Sequence, residues 1–371
     1  MSYNFNITCR KCSLIVVFML LLQVSFAQYN FSKVDAWLGQ NVKELGGRAV
    51  IVVYKDGKVV YDNAANNLGW RQKMVGKFLA KRQGRPATDE ALKFSDTSKA
   101  PIASCSKWLS AALVMSFVDE GKLNLEDTIG KYLPVMNKYG KGGIKVKYCL
   151  SHLTGIKSGS LKESRDLINN AASMEEAINN IARASMDGEP GKTFHYSSAG
   201  LQIAAAIIEK IGAKDFNTLF KERIAKPCKM LNTDFGDGKV PLAAGSALST
   251  PLDYLNFLEM ILNNGIFNGK QVLSKESIAA MQINRISQDV VIAYTPPGAE
   301  DWGYGYGEWT MDATYNTISN AVSSPGLFGS FPWVDKQKNY AAFLFTVNIN
   351  YKGRKEKYTE LKGLVDEVFS Q

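Results

Sequence analysis

Short apolar, β-branched segments cluster near the two ends of this 371-residue chain, and about 180 residues of helical periodicity separate them. Near one end, residues 48–54 read Arg-Ala-Val-Ile-Val-Val-Tyr and residues 58–61 read Lys-Val-Val-Tyr. Between them Asp56-Gly57 suits a tight turn, so the pattern predicts a β-hairpin. Near the other end strands are predicted at 303–309, 327–334 and 340–347, the last two joined by the polar turn 335–339, and a helix follows over 354–369. In between, helices are predicted over 104–120, 174–184, 198–211, 216–224, 251–264 and 275–282. Gly121 stops the first of these. Thr250 and Pro251 give the fifth a capping hydroxyl and a first-turn proline. One more helix is expected at 34–45. Residues 63–95 are polar, with Gly, Arg and Lys throughout, and read as a long irregular connection.

Strands from both ends need each other to form a sheet. The expected fold class is therefore α/β (α+β): an antiparallel β-sheet flanked by helices, built from both termini, with an inserted mainly helical lobe. The sheet lobe is placed at about 28–100 and 286–371 and the helical lobe at about 101–285, with a site in the cleft between them.

The first residues have a different character. Arg10 and Lys11 precede the apolar run from Leu14 to Leu22, and small residues stand at Ser25 and Ala27. This is the layout of a signal peptide over 1–27, cleaved after Ala27, and it predicts a periplasmic or secreted protein. The run is short for a bilayer span, so no stable membrane span is expected after processing. The net charge of +9 then becomes +7, with 42 basic and 35 acidic side chains left. The basic clusters at 77–85 and 352–357 read as solvated surface, and no nucleic-acid partner is expected. Cys105, Cys149 and Cys228 remain; at wide spacing they read as buried thiols rather than a disulfide framework. A monomer is the default.

The whole chain holds two histidines. That excludes most multi-histidine metal hydrolases, and neither a metal nor a cofactor is expected. The chain has no G-x-S-x-G elbow, phosphate loop or H-E-x-x-H helix. It does contain Ser104-Cys-Ser-Lys107, an S-x-x-K at the start of a predicted helix. Residues three apart share a helix face, so the Lys107 amine can reach the Ser104 hydroxyl. A serine hydroxyl needs a base, and a desolvated lysine can become one. The helix start adds N–H groups for a developing oxyanion. By itself the tetrapeptide is also compatible with an ordinary first turn and a solvated lysine.

Further motifs follow in order along the chain. Ile102-Ala-Ser-Cys-Ser-Lys107 resembles the nucleophile segment of the serine β-lactamase-like superfamily, in the branch of class C β-lactamases, D-alanyl-D-alanine carboxypeptidases and carboxylesterases. Glu120-Gly-Lys-Leu-Asn-Leu-Glu-Asp-Thr128, Leu150-Ser-His-Leu-Thr-Gly-Ile156, Pro190-Gly-Lys-Thr-Phe-His-Tyr-Ser-Ser198 and Ala244-Gly-Ser-Ala-Leu-Ser-Thr-Pro-Leu-Asp253 are similar to later segments of that family. The resemblance implies that Ser104 is the acylated nucleophile, Lys107 its partner, and Tyr196 a base and proton shuttle. It aligns Ser324-Pro-Gly326 with the third motif on a cleft strand and implies an oxyanion hole from the backbone N–H groups of Ser104 and Leu327. Ser198, Ser324 and Gly326 would contact substrate. His152 would be a structural hydrogen-bonder rather than a base, and His195 a cleft or surface residue. Trp302, Tyr304, Tyr306 and Trp309 either wall the pocket or pack in the core.

Two departures bear on the substrate. The usual Asn of the Tyr motif is Ser198, and the usual cation or imidazole of the third motif is Ser324. An uncharged Ser324 leaves a substrate carboxylate unpaired there unless another basic group reaches in. The expected activity is an exported serine hydrolase of esters or linear amides, its partner a small-molecule or peptide substrate, rather than an efficient β-lactamase. A penicillin-recognising β-lactamase or D,D-peptidase is the alternative, and a non-catalytic binding protein of the same fold a second. Natural substrate choice is assigned to the segments 63–95 and 285–300.

Overall fold

The computed structural model describes residues 29–370 except 83, 159–160 and 349–352; the expected signal peptide lies outside the described residues. In chain order, the elements that matter for the site begin with helix α1 (Ser32–Asn41), strands β1 (Arg48–Lys55) and β2 (Lys58–Asn66), and helix α2 (Trp70–Arg82). Helices α3 (Ser106–Asp119), α4 (Ala199–Gly212) and α5 (Pro251–Leu262) follow. Strands β3 (Gly303–Tyr304), β4 (Trp309–Thr310), β5 (Ala321–Ser323), β6 (Phe331–Asp335) and β7 (Tyr340–Thr346) lead to helix α6 (Arg354–Val368).

The two ends of the chain meet as expected. One seven-stranded sheet runs β2-β1-β7-β6-β5-β4-β3, and all its pairings are antiparallel. Asp56 (φ +50°) and Gly57 (φ +83°) turn β1 into β2, the two positive angles that a tight hairpin requires. β1 is apolar from Ala49 to Tyr54 because both of its faces are covered. Ala49, Ile51 and Val53 pack with α1 and α6 through Val34, Trp37, Leu361 and Val365. Val50, Val52 and Tyr54 face the helical part, in one cluster with α3 and α5. The result is three layers: terminal helices, sheet, and the helical middle of the chain. α3 lies at the centre, buried from Ser106 to Phe117, which matches its lack of any polar stripe.

Local structure departs from the sequence reading in several places. The predicted strand at 303–309 is two short strands around a turn. Gly307 (φ +78°) runs so close to α3 that a Cβ there would lie 2.4 Å from the Ala111 Cβ. The predicted strand at 327–334 starts only at Phe331, because 326–330 form a turn closed by the Gly326 N–H on the Ser330 carbonyl at 2.8 Å. Short helices at Ile129–Tyr132, Pro134–Lys138, Val146–Leu150 and Leu161–Asn169 had no clear periodic signal. The strand Val291–Tyr294 pairs in parallel with Thr193–His195, so it joins the helical part rather than the sheet.

Residues 63–95 correct the expectation of an irregular connection. They hold the end of β2, the three-turn helix α2 and a 3-10 turn at Glu90–Leu92. Tertiary anchors order the segment: Arg48 donates to the Leu92 carbonyl at 2.6 Å and stacks over Phe94. Gly76 brings the α2 backbone against Leu92, where a Cβ would stand 3.0 Å from the leucine side chain.

Candidate active site

Ser104 lies in the 3-10 turn Ala103–Cys105 that leads into α3. Ala103 takes the left-handed conformation (φ +47°), which costs a non-glycine residue on the order of 1 kcal/mol or more and persists only when the surroundings impose it. Several bonds do so. Ile102 N–H donates to the Ala247 carbonyl at 3.0 Å. Ser106 Oγ donates to the Ala103 carbonyl (2.6 Å) and accepts from Ala247 N–H (3.0 Å). Tyr254 on α5 donates to the Cys105 carbonyl at 2.8 Å. The motif at 244–253 thus grips the turn that carries Ser104.

Lys107 sits on the first turn of α3, and its Nζ lies 3.1 Å from Ser104 Oγ. Its second polar partner is the Ala244 carbonyl, at 2.9 Å. The side chain is buried, and loss of hydration lowers its pKa to about 7. Burial disfavours the charged amine, and carbonyl and hydroxyl oxygens compensate only in part.

Tyr196 comes from the other side, between the strand Thr193–His195 and the start of α4. It is buried, and the Ser104 hydroxyl is a hydrogen-bonding partner of its phenol. Burial raises the phenol above its usual range, so Tyr196 rests as a neutral hydroxyl. A base role for Tyr196 would need prior loss of that proton; of the pair, Lys107 is the group whose pKa lies near neutrality. Trp309 stacks on the Tyr196 ring with centroids 5.2 Å apart.

His152 supports this wall. Its Nδ1 accepts from Ser197 N–H at 3.4 Å, so Nε2 carries the proton and donates to the Tyr304 hydroxyl at 3.1 Å. Burial holds its pKa well below the usual value, and its ring lies 4.6 Å from that of Tyr196. It is a neutral hydrogen-bonder with no contact to Ser104 among those described. His195 is also buried, and its Nδ1 lies 2.5 Å from the Asp187 carboxylate.

The cleft over Ser104 has a volume of about 600 Å³ and is lined by Ser104, Tyr196, Trp309, Pro325, Gly326 and Leu327, among others. Its far wall comes from 294–300 and from the start of α6, including Arg354 and Lys355. No residue of 63–95 lines it. Trp309 is the cleft aromatic of the four considered; Tyr304 and Tyr306 are core residues, and Trp302 stacks on Phe331.

The third motif needs a correction. Ser324 is buried, is not among the residues lining the cleft, and its hydroxyl lies 3.2 Å from both the Ser104 carbonyl and the Gly307 carbonyl. It ties the end of β5 to the serine turn. Ser198 is buried at the start of α4 and likewise does not line the cleft. Gly326 does line it, and only glycine fits: a Cβ would come 2.5 Å from the Ile102 carbonyl oxygen. That close approach sets Leu327 at the cleft rim, opposite the serine turn. The Ala244 carbonyl escaped the sequence reading because it is a backbone group. The wall at 294–300 falls within the segment 285–300 to which substrate choice was assigned, whereas 63–95 does not reach the cleft.

A Beta-lactamase family model matches residues 36–364. Protein flp of Staphylococcus aureus (strain MW2) is 29% identical over 194 residues, covering 50% of this chain and 34% of the relative. The chain thus spans about a third of that relative's length. Protein Rv1367c of Mycobacterium tuberculosis (strain H37Rv) is 26% identical over 285 residues, covering 62% of this chain and 71% of that protein. Among solved structures, one from Bacteroides dorei DSM 17855, provisionally named a beta-lactamase, superposes with a TM-score of 0.76 at 25% identity, over 92% of this chain and 100% of that one. A family VIII carboxylesterase superposes with a TM-score of 0.69 at 17% identity, over 91% and 97% of the two chains.

Proposed function

This chain belongs to the Beta-lactamase family, and on that premise we propose that it is an exported, periplasmic or secreted serine hydrolase that cleaves esters or linear amides through an acyl-enzyme on Ser104. The observation that carries the reading is the 3.1 Å contact between a buried Lys107 amine and Ser104 Oγ, with the amine near half-protonation at neutral pH.

In the proposed cycle neutral Lys107 takes the Ser104 proton as Oγ attacks the substrate carbonyl carbon. The N–H groups of Ser104 and Leu327 face the developing oxyanion. The Tyr196 hydroxyl passes a proton to the leaving alcohol or amine as the carbonyl carbon–heteroatom bond breaks, and is replenished from Lys107. Water then attacks the acyl-enzyme by the reverse route and releases the acid and free Ser104. The preference for esters and linear amides over β-lactams rests on Ser324, which carries no charge and spends its hydroxyl on backbone carbonyls. The relative named as a family VIII carboxylesterase is in keeping with it.

One observation favours a second reading. Arg354 and Lys355 line the cleft beside Glu300 and Glu356, so the wall opposite Ser104 carries both signs, and its two cations are the groups that a carboxylate-bearing peptide or penicillin would have to reach. Both are engaged, Arg354 with the Asn348 carbonyl and Lys355 with Asp301, so a carboxylate would have to displace a partner.

The test is labelling of the protein with a fluorophosphonate, read by intact mass, beside turnover of p-nitrophenyl acetate and of nitrocefin. The proposal expects one adduct that Ser104→Ala abolishes, ester turnover, and nitrocefin turnover lower by orders of magnitude. Labelling that survives Ser104→Ala would overturn the nucleophile. Nitrocefin turnover matching that of the ester would move the assignment to the second reading.

A further inference from the structure

Helix α2 is inside out. The apolar residues that face the protein are small: Ala80 is buried and Gly76 lies against Leu92. Its large apolar side chains point to solvent, with Trp70 and Phe78 each 65% exposed, Met74 and Val75 each 57%, and Leu79 45%. Trp70, Met74 and Phe78 form one ridge at i, i+4 and i+8, with Val75 and Leu79 beside it. A monomeric soluble protein rarely leaves such a contiguous patch uncovered.

The charge on the helix is equally one-sided. Its 13 residues include Arg71, Lys73, Lys77, Lys81 and Arg82 and no acid. Lys73 and Lys77, on the inward side, pair with Asp89. Arg71, Lys81 and Arg82 are exposed among the apolar ridge residues. Aromatic and aliphatic side chains flanked by long basic ones are the composition that settles at a lipid headgroup boundary, the stems reaching up to phosphates while the rings enter the acyl region.

We propose that the outward face of α2 docks the protein on an anionic phospholipid bilayer. No helix among the described residues is long and apolar enough to cross a membrane, so the association is peripheral, with α2 lying in the interface plane. Charge complementarity singles out this occupant: an apolar partner surface would not call for three cations among the ridge residues, and anionic headgroups do. None of the α2 residues lines the cleft over Ser104, so docking leaves that cleft open.

The experiment sediments the full chain with phosphatidylcholine vesicles with and without equimolar phosphatidylglycerol, and follows hydrogen exchange in the peptide covering 70–82. The expected result is about tenfold more protein bound with the anionic lipid, reversal by high salt, and slowed exchange confined to that peptide. Trp70→Ser/Phe78→Ser should abolish both effects and leave ester turnover unchanged. Lys81→Glu/Arg82→Glu, which leaves the apolar ridge intact, should do the same. Equal binding to neutral vesicles, unchanged exchange over 70–82, or variants that bind like the parent would overturn the proposal. So would a concentration-dependent dimer that Trp70→Ser/Phe78→Ser dissociates, since a second copy would then be what covers the face.

Discussion

The Lys107 ammonium lies 4.6 Å from the centre of the Tyr196 ring, on its face, and no carboxylate among the described residues pairs with it. A ring face and a carbonyl oxygen stabilise a cation less than an acid does. This relationship lets one buried amine beside Ser104 exist in both protonation states near neutrality.

Ester turnover should therefore fall about tenfold per pH unit below a midpoint close to 7, the pKa of Lys107. The same group affects stability in a definite direction. Its folded pKa lies below the unfolded value of 10.5, so the unfolded chain binds more protons between about 7 and 10.5, and stability rises with pH across that window. Lys107→Met should remove that stability increment and the activity together. A kcat/KM profile and thermal melts at several pH values check both.

Tyr196→Phe keeps the ring stacked between Lys107 and Trp309 and deletes only the hydroxyl. Turnover should drop by about 100-fold or more while the limb near pH 7 stays where it is, because Lys107 owns that limb. A limb that moves by more than a unit would mean that Tyr196 shares the titration.

His152→Ala leaves the Tyr304 hydroxyl and the Ser197 N–H without their partner in a buried site, at a cost of about 2–4 kcal/mol. Chemical denaturation should show that loss. The pH limb of the remaining activity should be unchanged, which a general base at this position would not allow.

Ser324→Lys restores the cation usual at this motif position, yet it should not create β-lactam turnover. The side chain at 324 is directed at the Ser104 and Gly307 carbonyls in a buried space, and an ammonium there would be desolvated. Ser324→Ala should cost about 1 kcal/mol and retain most ester turnover. Nitrocefin assays and melting curves of the two variants decide the matter.

Gly326→Ala forces a Cβ to within 2.5 Å of the Ile102 carbonyl. Either the end of β5 or the serine turn must give way, separating the Ser104 and Leu327 N–H groups. A loss of about 100-fold in kcat with little change in KM is expected, the pattern of an impaired oxyanion site.

The hairpin at 48–66, the strands near 331–346 and the helices around Ser104, Ala199 and Pro251 were all legible, because each is marked by its own periodicity and punctuation. α2 was not. Its period-four ridge is present in the sequence, but a helix with its apolar face outward and glycine within it looks like a basic loop unless Leu92 and Arg48 are seen to hold it. The strands at 303–304 and 309–310 read in the sequence as one strand, because nothing local marks the turn between them, and the strand at 321–323 is too brief for any period to register.

At the site the division follows the range of the interactions. The spacing of Ser104 and Lys107 is a one-turn helical property, so the sequence alone places hydroxyl and amine on one face. The ordered run of motifs alone also picked out Tyr196 and Gly326. Whether Lys107 keeps an ordinary pKa or a lowered one was decided only by tertiary structure, since it depends on how much water α3, the Ala244 carbonyl and the Tyr196 ring exclude. The direction of the Ser324 hydroxyl was decided there too, and so was the side of α2 that meets solvent. Each depends on groups distant in the chain, and no local pattern records where those groups will stand.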